Sequence, residues 1–249
     1  MKRLLSLFIT TLFISATAMS QDIPVNFGAK EKKNAFYIGP KAGVTINTMT
    51  QPDEGTLYDG FGIGFSGGLA MKARFGYLPE SSDNPQPGIL GVGLELKYRQ
   101  SSVKTFGTDE DGKTNAKLSL GYFDVPVFVQ LYPFYKSDAM NTFYVELGVS
   151  FTGVMSRSPK SLTLVGGPND NYSSVTYHID GDNKLKGVDA RPFAGIGYTI
   201  KSASNNSFSG GLDINARYYI GMSKMADNFA CKMSNIEVSL AWMFNACGF

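Results

Sequence analysis

Between residues 143 and 152 apolar and polar positions alternate: Phe143, Val145, Leu147, Val149 and Phe151 fall on one face, Tyr144, Glu146, Gly148, Ser150 and Thr152 on the other. A period of two belongs to an extended strand with one apolar face. The pattern returns at 90–99, where Leu90, Val92, Leu94, Leu96 and Tyr98 oppose Gly91, Gly93, Glu95, Lys97 and Arg99. It returns at 210–220, with Leu212, Ile214, Ala216, Tyr218 and Ile220 against Gly211, Asp213, Asn215, Arg217 and Tyr219. At 235–244 Ile236, Val238, Leu240, Trp242 and Phe244 oppose Asn235, Glu237, Ser239, Ala241 and Met243. Four further segments, roughly 35–46, 61–75, 117–134 and 190–201, alternate less cleanly. In the third, Leu118 and Leu120 fall out of phase with Phe123, Val125, Val127, Val129 and Leu131, and Pro126 cannot donate to a ladder, so a bulge near Gly121 is expected.

These segments are long for a soluble sandwich, whose strands usually run about 5–6 residues. The connections between them alternate in length. Long ones at 46–60, 103–116, 157–189 and 221–232 are interleaved with shorter ones at 76–88, 136–141 and 202–207, of which 76–88 is longer than a tight turn. Long external loops and short periplasmic turns are the habit of outer-membrane barrels, and the order fits if both termini are periplasmic. The predicted fold is therefore all-β: an eight-stranded antiparallel up-and-down transmembrane β-barrel with long external loops. In the longest loop Leu162-Thr163-Leu164-Val165 and Val175-Thr176-Tyr177 predict an external hairpin. Phe36, Tyr37, Phe75, Tyr77, Tyr132, Phe134, Tyr135, Phe143, Tyr144, Phe208, Trp242 and Phe244 gather at the turn end, as an interfacial girdle would. A soluble periplasmic ligand-binding barrel is the alternative, and it requires the 143–151 apolar face to be a buried core.

Residues 1–20 read as a secretory leader, with Lys2 and Arg3, the apolar stretch Leu4 to Ala16, and Ala18-Met19-Ser20 as a small-residue cleavage site. Residues 21–34 are polar and aperiodic, a flexible lead-in to a barrel over 35–249. After residue 20 no segment approaches the ~20 apolar residues of a helical span, so the membrane would be crossed by a closed barrel. The 249-residue chain carries 23 basic and 21 acidic residues, and without Lys2 and Arg3 the balance is neutral. A nucleic-acid partner needs a concentrated basic face, and the charge pattern supplies none.

The leader, the opening Phe36-Tyr37-Ile38-Gly39-Pro40-Lys41-Ala42-Gly43 and the run Gly121-Tyr122-Phe123-Asp124-Val125-Pro126-Val127-Phe128-Val129-Gln130-Leu131-Tyr132-Pro133 resemble the PorT-type outer-membrane β-barrel proteins of the Bacteroidetes. The resemblance spans most of the chain after the leader, and the 121–133 run is its most specific piece. It implies an outer-membrane barrel and does not itself imply any enzyme activity. The protein that names that family is associated with export of cell-surface proteases; no residue here shows that this chain shares that role, and an accessory role in secretion through lumen or periplasmic surfaces stays open beside binding or adhesion through the long loops. The resemblance departs at the C-terminus. A terminal aromatic residue read by the insertion machinery is usual, and Phe249 fits; yet Phe244 is the residue in phase with Ile236, Val238, Leu240 and Trp242. Either the last strand ends at Phe244 or it bulges near Asn245.

If the apolar faces meet lipid, the opposite faces send Lys41, Lys72, Arg74, Glu95, Lys97, Arg99, Asp124, Glu146, Asp213, Arg217 and Glu237 into the lumen, six basic residues against five acidic. An eight-stranded barrel is wide enough only for its own side chains, and buried charges persist when paired. A lumen plugged by ion pairs is expected over an open pore; in a gated or binding lumen Glu95, Arg99, Glu146 and Arg217 are the residues to test.

Other motifs read as structure. Gly62-Ile63-Gly64-Phe65-Ser66-Gly67 spells a dinucleotide-binding glycine pattern but lies within an alternating strand with no helix after it. Asp109-Glu110-Asp111-Gly112 begins like a calcium loop and lacks its late Glu. His178, the single histidine, lies near Ser173, Ser174 and Asp180 in a Gly- and Asn-rich loop, a poor platform for the rigid pairing of a lipid-directed esterase. Cys231 and Cys247 form an even pair, but sixteen extended residues separate them by about 50 Å, beyond disulfide reach. One His and two distant Cys build no metal site, and no cofactor is expected. The expected partners are outer-membrane lipid, the barrel-insertion machinery through the C-terminal strand, and a protein partner at the external loops.

Overall fold

The structure, a computed structural model, describes residues 34–50, 61–77, 86–104, 107–108, 117–158, 161–166, 173–178, 188–201, 210–222 and 232–248. Contacts divide the chain into Met1–Glu31 and Lys32–Phe249, and every described residue belongs to the second unit. Its strands are β1 (Ala35–Thr50), β2 (Gly62–Tyr77), β3 (Gln86–Lys104), β4 (Gly107–Thr108), β5 (Lys117–Leu131), β6 (Phe143–Ser158), β7 (Ser161–Gly166), β8 (Ser173–His178), β9 (Val188–Lys201), β10 (Gly211–Tyr219) and β11 (Lys232–Gly248). Eight of them close in the order β1-β11-β10-β9-β6-β5-β3-β2, all antiparallel. The remaining three form a separate sheet, β4-β7-β8, in which Leu162 faces Tyr177 and Leu164 faces Val175: the hairpin predicted for the longest loop.

Alternation sorts the side chains as the lipid-facing reading requires. Val44, Ile63, Leu147, Phe151, Val238 and Leu240 are exposed, Leu147 by 69%, whereas Glu95, Arg99, Glu146, Arg217 and Glu237 are almost completely buried. This is a soluble barrel turned inside out, and it removes the alternative in which the 143–151 face is a core. A closed ladder leaves no unpaired edge, which is what allows strands to cross hydrocarbon.

The strands outrun their predicted limits at several ends. β2 and β3 reach Tyr77 and Gln86, which shortens the 76–88 connection to 78–85, and β6 continues to Ser158. Backbone pairing persists there because every N–H and C=O still needs a partner, while the apolar alternation that marks the lipid band fades. At the other connection, β5 stops at Leu131 rather than 134, and the chain turns over 132–142 through bonds from Ser137 N to Phe134 O (2.9 Å) and Phe143 N to Met140 O (3.0 Å).

Two irregularities resolve questions of phase. The register of β5 against β6 shifts between Gly121 and Tyr122, with Met155 of β6 as the extra residue, so the bulge lies opposite Gly121 and not within its strand. β5 itself stays in register with β3, and Leu120 is an apolar residue pointing inward, fully buried. At the closing seam Phe36 pairs Cys247 and Tyr37 pairs Asn245, which makes Ala246 a bulge and carries the last strand on to Gly248. Phe249 lies outside the described residues.

The aromatic girdle is correct only in part. Phe75, Phe134, Trp242 and Phe244 face outward, but Tyr37, Tyr132 and Tyr144 are buried inside, because they share strand parity with the inward positions. Phe208 lies outside the described residues.

Candidate functional site

The barrel interior is the chemically distinctive part of this molecule, and its shape follows from register. Around one ring of cross-strand partners the residues are Gly93, Phe128, Gly148, Phe193 and Tyr219, so the two glycines flank Phe128 and make room for the rings in a narrow cylinder. Phe193 lies 6.3 Å from Phe128 and 4.8 Å from Tyr219, centroid to centroid. Small inward residues beside large ones are how small barrels fill without clash.

All eleven charged residues predicted for the lumen are buried. They fall into three levels. In the middle level Glu95 accepts from Lys41 Nζ (2.8 Å) and Arg217 (2.8 Å), with Lys97 Nζ at 3.9 Å. Arg217 also grips Glu146, Nε to Oε1 at 2.5 Å and Nη2 to Oε2 at 3.2 Å, while its guanidinium lies 4.7 Å from the Phe128 ring and 4.8 Å from the Phe193 ring. Glu146 takes two further bonds, from Asn215 Nδ2 (2.6 Å) and Gln130 Nε2 (3.1 Å). Lys97 is held by Glu237 (2.5 Å) and the Tyr219 hydroxyl (2.9 Å), and Ser66 Oγ donates to the same Glu237 (2.7 Å).

Toward the long-loop end Arg99 pairs Asp124 (2.6 Å), stacks 4.2 Å from the Tyr122 ring and donates to Ser101 Oγ. Toward the end where β1 begins and β11 finishes, Lys72 contacts Asp213 (3.3 Å), which also accepts from the Tyr144 hydroxyl (3.1 Å) and Thr199 Oγ1 (2.8 Å). Arg74 stands apart: its Nε and Nη2 donate to the Gly88 carbonyl (3.1 and 3.0 Å), and it stacks on Tyr132 at 3.7 Å.

Arg191 is the residue the alternation argument missed. It is buried, donates to Met233 O (3.0 Å) and Asn235 Oδ1 (2.5 Å), and raises the buried charges to seven cations against five carboxylates among the described residues. The signal was present in the sequence: Arg191, Phe193, Gly195, Gly197 and Thr199 alternate against Pro192, Ala194, Ile196, Tyr198 and Ile200. Gln130, Asn215 and Tyr219 belong to the same network and carried no charge to flag them.

Each of the five buried carboxylates, Glu95, Asp124, Glu146, Asp213 and Glu237, thus has a cation against it, with aromatic rings packed beside the cations. Such an interior neutralises and fills; buried ions persist when geometry and extra hydrogen bonds offset desolvation. The other motifs come apart on the fold. Gly62 to Gly67 lies in β2, where Gly64 packs so closely on the Gln100 carbonyl and Thr45 that a β-carbon has no room. Ser173 and His178 sit at opposite ends of β8, about 17 Å apart along extended backbone, so the strand does not assemble that pair. β11 runs from Lys232 past Cys247 as one strand; Cys231, Asp180 and the 109–112 run lie outside the described residues.

Comparison with known proteins places this architecture. Among solved structures the chain is similar to Neisserial surface protein A (13% identity, 84% of this chain and 96% of that one, TM-score 0.37). It is similar also to Ail, the attachment invasion locus protein of Yersinia pestis (13% identity, 84% and 99%, TM-score 0.40). No curated protein matches the chain. The model of the outer membrane protein beta-barrel domain matches residues 19–227. A closed eight-stranded ladder, an apolar exterior, a charged interior and that match over most of the sequence make this chain a member of the outer-membrane β-barrel domain family, seated in the outer membrane with its apolar belt against lipid.

Proposed function

We propose that this protein is a non-enzymatic outer-membrane barrel whose work is done by its long loops, a surface-interaction role for which the barrel is the rigid mount. The observation that carries the reading is the pairing of β4, β7 and β8 into a sheet of their own, just past the loop ends of β3 and β6. Ordered backbone beyond the lipid band presents a shape to a partner, whereas the interior is closed by its own side chains. In this reading residues 1–20 are removed on export, the insertion machinery reads the C-terminal strand, both termini face the periplasm, and the loops 46–60, 103–116, 157–189 and 221–232 face outward. The paired lumen residues Lys41, Glu95, Lys97, Arg99, Asp124, Glu146, Asp213, Arg217 and Glu237 then serve the barrel's integrity, and Lys72 and Arg74 close its turn end.

The test is protease shaving of intact cells carrying an epitope tag after Phe249. Cleavage within 159–189 with the tag protected is expected; a tag accessible from outside overturns the orientation. Replacing 161–178 by a short Gly-Ser linker is expected to leave a heat-modifiable barrel that has lost its surface interaction. The PorT-type likeness of 121–133 supports a second reading, an accessory barrel of protein secretion. That reading requires deletion of the chain to impair export of other surface proteins.

A further inference from the structure

At the end of the barrel where β1 begins and β11 finishes, the interior ends in a recess lined by Tyr37, Lys72, Arg74, Tyr132, Thr199 and Lys201 among others, with no carboxylate in its wall. Lys72 is shared between Asp213 and Thr199 Oγ1, each at 3.3 Å. Arg74 is only 5% exposed, yet its hydrogen bonds go to one backbone carbonyl, and among the described residues no carboxylate pairs with it. Lys201, half-buried at the mouth, likewise has no ion pair among the described residues; Asp138 of the neighbouring turn acts on it electrostatically. Three cations therefore converge on one opening, against Asp213 behind Lys72 and Asp138 at the side.

A buried guanidinium that lacks counter-charge is costly, and an anion held against it removes that cost. The recess has a volume of about 20 Å³, room for one or two water-sized atoms at about 10–15 Å³ each. It admits one or two oxygens of a small ion whose remainder stays at the opening beside Lys201, and it excludes an extended solute. We infer that this recess binds one small oxyanion of the phosphate class, held by Arg74 and Lys201 with Lys72 and the Tyr37 hydroxyl beside them. The lining side chains point into the barrel, which selects a free ion over a lipid headgroup.

The experiment is isothermal titration of inorganic phosphate into the refolded full chain, in zwitterionic micelles and again in nanodiscs containing phosphatidylglycerol. Saturable binding near one ion per chain is expected, equal in both media. Arg74→Gln and Lys201→Gln are each expected to weaken it about tenfold, the loss of one charge-assisted hydrogen bond. Lys201→Gln sits at the mouth and keeps the test alive if Arg74→Gln does not fold, which heat-modifiable mobility reports. Lys136→Gln, an exposed cation on the same turn, is expected to bind as wild type. Absence of saturable binding, or equal affinity in wild type and Lys201→Gln, overturns the site. Loss of phosphate affinity only in the phosphatidylglycerol discs assigns the recess to a lipid phosphate and overturns the free-ion form.

Discussion

Arg217 and Glu146 stand on β10 and β6, with β9 between them, and they meet because the cross-strand partner of both is Gly195. The guanidinium and carboxylate close over a residue that has no side chain, Nε to Oε1 at 2.5 Å. A β-carbon at 195 would lie 2.8 Å from Glu146 Oε1, 2.9 Å from Arg217 Cγ and 2.8 Å from the Ala216 carbonyl.

Gly195→Val is therefore expected to split the pair and leave two buried charges partly uncompensated, a loss of about 3–5 kcal/mol. Gly195→Ala is expected to cost about 1–3 kcal/mol through overpacking alone. Urea titration of the barrel in lipid vesicles reads both, and a wild-type midpoint for Gly195→Val removes the pair from any stabilising role.

The rings of Phe128, Phe193 and Tyr219 crowd around Arg217 in the middle of the barrel interior. In a planar bilayer the wild-type protein is expected to show no steady ion conductance, as an eight-stranded barrel filled by its own side chains should. Stable open steps at low voltage would contradict the closed interior directly.

Depth in the membrane sets the cost of an outward charge. Leu147, the middle of the apolar run from Phe143 to Phe151 on β6 and exposed by 69%, is expected to cost about 2–4 kcal/mol as Leu147→Arg, while Phe61→Arg, just before β2 at its loop end, is expected to cost about 0–1 kcal/mol. Equal effects at the two positions would mean that the apolar belt is not where the exposures place it.

Trp242 is the single tryptophan and faces outward from β11. Its emission is expected to shift to the blue when the chain inserts into vesicles, and lipids brominated near the headgroup are expected to quench it more than lipids brominated at mid-chain. Quenching strongest at mid-chain would move the turn-end rim away from the interface.

Several features were legible without coordinates because a strand's period is two and a lipid-facing barrel has only two faces. Val145 or Leu240 declares its side by its neighbours, and Glu146 or Glu237 then follows by parity. The external hairpin was legible as two β-prone runs, and the C-terminal bulge as one of two ways to reconcile Phe244 with the residues after it. Tyr37, Tyr132 and Tyr144 group with a girdle by their aromatic character, although alternation already sets Tyr144 beside Glu146, and Leu120 looks out of phase because it is apolar; an interior needs large side chains to fill its volume, and parity overruled composition.

Alternation alone thus determined the barrel, its orientation inside out, and the set of side chains available to its interior. It could not determine who pairs with whom. Arg217 finds Glu146 across 71 positions of sequence, and Lys97 finds Glu237 across 140, because strand tilt and register stack their rings at one level of a closed cylinder. Pairing is a property of that closure: until β1 meets β11 the charges have no common interior, and only the folded ladder decides that Gly195 leaves the gap in which two of them join.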